Sequence, residues 1–333
     1  MSVNESKEYE AGKLDSIRLQ KGPEEVRSYF GNIVAADKNA AAALINDETL
    51  QFPTLYMVKS TLVKTGLLKR LNNRYLNALK LTNAISRKDK KCINHLVESR
   101  GAEVHEALKW ILLTGCTEDG LENKYEELME IAATLIVRYY NDTSILPAVA
   151  DMIFKRYRKG MLVHNLIWAF FEAKDPESLL LLANYLDSQD SRDYELASRL
   201  LAFIPSEENT RSAAPAKMYN DVSQWIRENN RFLYRTEECL HFSANFIPYV
   251  LSPEAKYLCK PVSADNGISF RDYSEDQKNL LSRFRALDEN TRMQLADYSY
   301  LLYRHNVDQW NQWISSPVEN QVKSMKMVVG GRI

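Results

Sequence analysis

Glycine and proline are scarce in this sequence, 11 and 10 residues of 333, where average usage would be ~7% and ~5%. That excludes collagen-like and low-complexity chains and argues against a turn-dense β-sandwich or propeller. Cysteine is also sparse. Cys92, Cys116, Cys239 and Cys259 are too few for a disulfide scaffold. Long apolar runs are missing, since the best candidate, Leu162–Phe171, is short and interrupted. The first residues, MSVNESKEYEAGKLD, are polar and acidic without an apolar signal region, and the terminal MVVGGRI is no prenylation or retention signal. The expectation is a reduced, cytoplasmic protein with no membrane association. Phosphate-binding G-x-x-x-x-G-K-[ST] and G-x-G-x-x-G loops and the G-x-S-x-G nucleophile elbow are absent. No catalytic residue, metal or cofactor is therefore expected.

What is present is helical. Hydrophobic residues at 45% and charged residues at 26% match a globular protein. The length exceeds the ~250–300 residues of a single core, which points to two units or a repeat array. Leu128, Ile131, Leu135 and Tyr139 follow helical spacing, as do Leu295, Tyr298 and Leu302. Asp175-Pro176, Ser252-Pro253 and Ser316-Pro317 pair an N-cap with a proline at the first helical position. Ser274-Glu275-Asp276-Gln277 and Ser316-Pro317-Val318-Glu319 also match the capping box. No alternating strand pair stands out, and the one Asp-Gly, Asp119-Gly120, sits between helical patterns. These features predict an all-α protein with helices near 23–45, 54–69, 71–86, 88–99, 102–113, 121–140, 145–158, 162–172, 175–186, 191–203, 216–228, 274–287, 289–306 and 316–328. Short joints make neighbours antiparallel.

One internal repeat emerges. Leu96, Val104, Ala107, Trp110 and Ile111 align with Tyr139, Pro147, Ala150, Ile153 and Phe154, and again with Leu186, Tyr194, Ala197, Leu200 and Leu201. The steps are 43 and 47 residues, and each copy reads as a helix end, a tight turn and a second helix with a small Ala at closest approach. Pro147 departs from the Val or Tyr at that position in the other copies. Over about residues 88–205 the chain resembles the HEAT/armadillo class of helical repeats, most clearly in Asp175–Pro205. The resemblance implies stacked antiparallel helical hairpins, an α-solenoid, with a C-terminal helical region. The expected division is a repeat-like domain over 1–204, a linker and irregular aromatic-rich connection over 205–273, and capping helices over 274–333. IPSEENTRSAAP (204–215) has linker composition, and Phe246, Tyr249, Tyr257 and Phe270 should pack within the connection.

Charge is nearly balanced overall, at -1, but it is not evenly spread. Residues 51–115 carry twelve bases against four acids, 116–152 eight acids against two bases, and 175–210 eight acids against two bases. The candidate binding ridge is Lys69, Arg70, Arg74, Lys80, Arg87, Lys88, Lys90 and Lys91, together with Lys155, Arg156, Arg158 and Lys159. Such a ridge suits an acidic partner or a phosphate backbone. The competing reading is that bases end helices, acids such as Glu118, Asp119 and Glu122 begin them, and the blocks neutralise one another. Trp110 and Trp168 fall in apolar stripes and read as core, whereas Trp310 and Trp313, among polar neighbours, read as interface candidates.

Metal readings are weaker. Glu238-Cys239-Leu240-His241 offers one E-x-x-H where a di-iron bundle needs two. Cys92, His95, His105 and Cys116 lack the spacing of a zinc module. The favoured function is a non-enzymatic intracellular scaffold or adaptor that binds a protein partner through a curved helical surface. Nucleic-acid binding through 59–91, and an enzyme whose site is assembled from separated helices, are the alternatives. The sequence leaves the oligomeric state open.

Overall fold

The computed structural model describes residues 12–118, 121–205, 215–236, 238 and 246–330. The Asp-Gly pair at 119–120, most of the linker at 204–215 and most of the E-x-x-H motif lie outside the described residues. The chain is 75% helix and 3% strand, so it is all-α in class. It divides into two compact units, residues 1–173 and 174–333.

The first unit is built from α1 (Lys13–Lys21), α2 (Pro23–Ala36), α3 (Lys38–Ile45), α4 (Phe52–Thr65), α5 (Asn73–Ser86), α6 (Lys90–Ser99), α7 (Gly101–Gly115), α8 (Asn123–Tyr140), α9 (Leu146–Arg158) and α10 (His164–Glu172). Packing runs mostly between consecutive or nearby helices: α1 and α4 on α2, α5 and α8 on α7, α10 on α8. The single helix expected over 23–45 is two. Asp37 takes an extended backbone, φ -153°, and its side chain accepts the amide of Asn39, so it caps a new helix where the old one ends. The helix expected over 54–69 stops at Thr65, because Gly66 adopts φ 73° and a 3-10 turn, Leu67–Arg70, follows.

Aromatic rings close the middle of this unit. Phe52 stacks on Tyr125 at 5.8 Å, Tyr56 meets Tyr125 edge-on at 5.0 Å, and Trp110 meets Phe52 at 5.7 Å. The expected face of α8 is buried in part: Leu128 and Leu135 lie inside, Ile131 and Tyr139 do not. Tyr125, Leu128, Met129, Ala132 and Ile136 are buried, while Ile131 is half-buried and Tyr139 is 43% exposed. The apolar residues of α8 cover more than one face, and only packing against α7 and α10 selects which of them is buried.

The second unit contains α11 (Leu179–Ala183), α12 (Ser191–Leu200), α13 (Pro215–Asn229), β1 (Leu233–Arg235), β2 (Tyr249–Leu251), α14 (Pro253–Tyr257), α15 (Glu275–Arg285), α16 (Glu289–His305), α17 (Val307–Ile314) and α18 (Val318–Gly330). The antiparallel ladder, with Leu233 opposite Leu251 and Arg235 opposite Tyr249, is absent from the sequence reading. Three-residue strands paired across a non-local connection leave too short a pattern to detect.

Within the aromatic connection Tyr249 and Tyr257 are buried, as expected, but Phe270 stands 73% exposed. Tyr257 stacks on Phe284 at 4.3 Å and anchors a cluster with Leu258, Leu281, Leu295, Val318 and Met325. The capping box at Ser274 and Gln277 forms, and Ser252 caps α14. At Ser316 it does not. Its hydroxyl donates instead to the carbonyl of Trp313, and α18 begins only at Val318. With α18 starting at Val318, Ser316 lies one residue too early to cap it.

Ala107, Ala150 and Ala197, the small positions of the three aligned copies, are all buried. The middle copy departs, with Tyr139 and Pro147 exposed. The first two copies lie in the first unit and the third in the second.

Candidate functional site

The basic segment is held by polar hinges. Asn46 donates to the carbonyl of Arg70 at 2.8 Å and accepts the amide of Asn72 at 2.7 Å, and Asn72 caps α5 through the amide of Tyr75. These bonds fix the turn bearing Lys69, Arg70 and Arg74, all exposed. Arg70 donates to Asn39 Oδ1 at 2.6 Å. Along α5, Tyr75, Ala78, Leu81, Thr82 and Ile85 face inward, which leaves Leu76 and Lys80 half-buried, and Asn83 and the C-cap Arg87 exposed. Lys88, at φ 56°, makes the corner, Asp89 caps α6 through the amide of Cys92 at 3.0 Å, and Lys90 and Lys91 occupy the first turn of α6.

Helix-end complementation explains only part of this. Arg87 and Lys88 suit the negative end of α5, whereas Lys90 and Lys91 sit at the positive end of α6, where a base is unfavourable. Among the described residues Lys88 reaches Glu127 at 3.6 Å. Among the described residues, none of Lys69, Arg70, Arg74, Lys80, Arg87, Lys90 and Lys91 has an acid within ion-pairing distance.

The segment 155–159 behaves differently. Arg156 is 1% exposed, and its guanidinium pairs with Glu126 and, at 3.0 Å, with Glu130. It is therefore an internal ion pair rather than part of a surface ridge. The amphipathic turn of α9 places position 156 on the side of Met152 and Ile153, facing α8. Lys155 donates to the carbonyl of Thr117 at 3.1 Å. Arg158 is half-exposed and Lys159 exposed, near the end of α9 where bases suit the dipole.

The acids that spacing rules could not place are the partners of these bases. Glu122, Glu126, Glu127 and Glu130, from the N-cap and body of α8, meet Lys59, Arg156 and Lys88. Lys59 also lies 3.3 Å from the centre of the Tyr56 ring, whose hydroxyl donates to Glu122. Burial lowers the Lys59 pKa despite Glu122, while the bond from Tyr56 holds Glu122 below the usual carboxylate range. Two segments that look like independent charge blocks thus partly neutralise each other.

Of the Cys/His candidates, Cys92 and His95 are exposed, and Cys116 is half-buried against the carbonyl of Leu113. His105 lies 3.0 Å from Asp142 and stacks on Tyr140 at 4.4 Å. Lys109 also reaches Asp142 at 3.0 Å. Burial raises the Asp142 pKa, but hydrogen bonds from Ser144 and Lys109 outweigh it and hold it at about 2. Asp142 caps the turn after α8, so this cluster ties α7 to that turn. The four Cys/His residues are not brought together.

No protein-family model matches the chain, no curated protein matches its sequence, and no solved structure matches it. What the chain does has to be read from its own residues. No helix among the described residues is long and apolar enough to cross a membrane.

The two interface tryptophans separate. Trp313 faces the core of the second unit, edge-on to Tyr298 at 5.4 Å and to Tyr257 at 6.2 Å. Trp310 lines an open cleft of 580 Å³, with its indole N–H tied to Ser299 Oγ at 2.9 Å. Their helix, α17, is missing from the expected elements. Its signal is Asn306, which caps it through the amide of Gln309. Trp110 and Trp168, expected in the core, are half-buried.

Proposed function

We propose that the chain is a non-enzymatic helical scaffold whose first unit binds an acidic segment of a protein partner on the outward surface of α5 and α6. One observation carries the reading. The acids of the α8 region are engaged by Lys59, Lys88 and Arg156, while among the described residues Lys69, Arg70, Arg74, Lys80, Arg87, Lys90 and Lys91 make no ion pair, two of them against the dipole of α6. A carboxylate-rich partner would pair with these bases and gain most of its specificity and encounter rate from them. Packing between near neighbours in sequence supports a HEAT/armadillo-like stack, an architecture with extended surfaces for protein binding. The free thiols Cys92 and Cys259 suit a reducing, intracellular setting.

The test is fluorescence anisotropy of a labelled oligoglutamate peptide against the full chain, run beside a short DNA duplex. Affinity for the peptide should fall as salt rises, and the variant Lys80→Glu/Arg87→Glu/Lys91→Glu should lose about tenfold or more while its melting temperature stays close to wild type. Absence of peptide binding at low salt would overturn the reading. Preference for the duplex with a steep salt slope would transfer the same surface to nucleic acid.

A further inference from the structure

The second unit holds a cleft of different chemistry, independent of the basic surface. It opens between α15 and α17 at the start of α18, and its 580 Å³ fall within the ~300–1,000 Å³ of small-molecule sites. Asp276, Asn279, Leu280 and Arg283 follow i, i+3, i+4, i+7 and so present one face of α15 to it. Across from them, α17 offers Trp310, Asn311 and Ile314. Leu258 and Val318, almost wholly buried, close the apolar side.

Trp310 is a fixed wall. Its indole N–H is bonded to Ser299, whose hydroxyl donates at 2.6 Å to the carbonyl of Tyr257, and its ring meets Tyr303 edge-on at 5.1 Å. Gln277, also at the cleft, is committed to the capping box and to Lys260. The side chains of Asp276, Asn279, Arg283 and Asn311 are not. Among the described residues none of these four makes an intramolecular side-chain hydrogen bond or ion pair.

Four planar polar groups, a carboxylate, two carboxamides and a guanidinium, therefore surround an indole and an aliphatic floor. The charges cancel. An anionic ligand attracted by Arg283 meets Asp276, a cation meets the reverse, and a purely apolar ligand makes no use of these four exposed groups. A neutral molecule with an apolar face and a rim of adjacent hydroxyls satisfies both parts. Planar carboxylate, amide and guanidinium groups can each bond two neighbouring hydroxyls, and the axial C–H face of a pyranose lies against an aromatic ring. We propose that this cleft binds a neutral saccharide, with Trp310 as platform and Asp276, Asn279, Arg283 and Asn311 as hydroxyl partners.

Saturation-transfer difference NMR on the full chain tests this with maltose, cellobiose, lactose, trehalose and N,N′-diacetylchitobiose at millimolar concentration. At least one should receive saturation at ring C–H protons and perturb the indole N–H resonance of Trp310, assigned with Trp310→Phe. The Asn279→Ala/Asn311→Ala variant should bind about tenfold or more weakly with its melting temperature unchanged, because both side chains are exposed and neither bonds to a described residue of the protein. Lack of transfer to all five sugars overturns the proposal, and so does transfer that is undiminished in the double variant. The oligoglutamate experiment reads the other unit, so either proposal can fail alone.

Discussion

The two units solve the same problem, burying helices of a charged chain, in different ways. In the first, helices of 8 to 18 residues follow one another with short joints, and the strongly acidic stretch around α8 lies against bases on α4, α9 and the α5–α6 corner. Its polar groups work inside. Arg18, 4% exposed, is bonded to Asp15, to Thr54 at 3.0 Å, to Gln51 at 2.6 Å and to Glu118, a network that joins α1 to α4 and to the end of α7. In the second unit the helices are interrupted by 3-10 turns, a two-stranded ladder and the aromatic connection. There the core is apolar and aromatic, with Lys256 as a buried base held by Asn229 at 2.5 Å and by Asp297. Internal ion pairs define the first unit by register. The second adds a two-stranded ladder and an irregular connection, and it holds the cleft beside Trp310.

Breaking a buried charge in the first unit should have the largest effect. Arg156→Ala removes the buried guanidinium that Glu126 and Glu130 share and should cost about 3–5 kcal/mol, read from urea unfolding followed by circular dichroism. A loss below about 1 kcal/mol would mean that α8 and α9 do not depend on that pair.

The matching test in the second unit is a turn. Gly267 has φ 72°, and an added Cβ would lie 2.8 Å from the Tyr234 ring. Gly267→Ala should cost about 1–3 kcal/mol, from left-handed backbone strain and displacement of that ring. An unchanged melting curve would show that the connection is slack.

Asp142→Asn should cost about 1–2 kcal/mol at neutral pH, and the cost should depend on pH. The folded carboxyl titrates near 2, below its ordinary 3.8. Its stabilisation is therefore complete above about pH 4 and is lost as pH falls through about 2, where wild type and variant should converge. A gap that stays constant down to pH 2 would assign the effect to lost packing. Smallest is Ser274→Ala, which removes the cap of α15 and should cost about 1 kcal/mol without altering the first unit's urea transition.

Where local chemistry decided a feature, the sequence was readable. Asp175, Ser252 and Ser274 cap the elements that follow them, and α5, α8, α9 and α16 begin and end within a few residues of expectation. Where two local options competed it was not. Ser316 bonds backward instead of forward, Asp37 divides one apolar stretch into two helices, and Asn306 starts a short helix after a long one. The bases from Lys69 to Lys91 were visible as a cluster, but that Arg156 is internal was not, because position 156 meets Glu130 and Glu126 from a helix 26 and 30 residues earlier.

The sequence by itself determined that the protein is helical, where most of its helices run, and that its near-zero charge is a cancellation of strongly signed stretches. Helix periodicity and caps are set within a few residues of themselves, so no tertiary information was needed. Only the tertiary structure decided which bases meet acids, which tryptophan faces the core and which lines a cleft, and which face of α8 is buried. Those outcomes depend on neighbours brought together from distant segments, and burial makes an ion pair or an indole count in a way that spacing along the chain cannot encode.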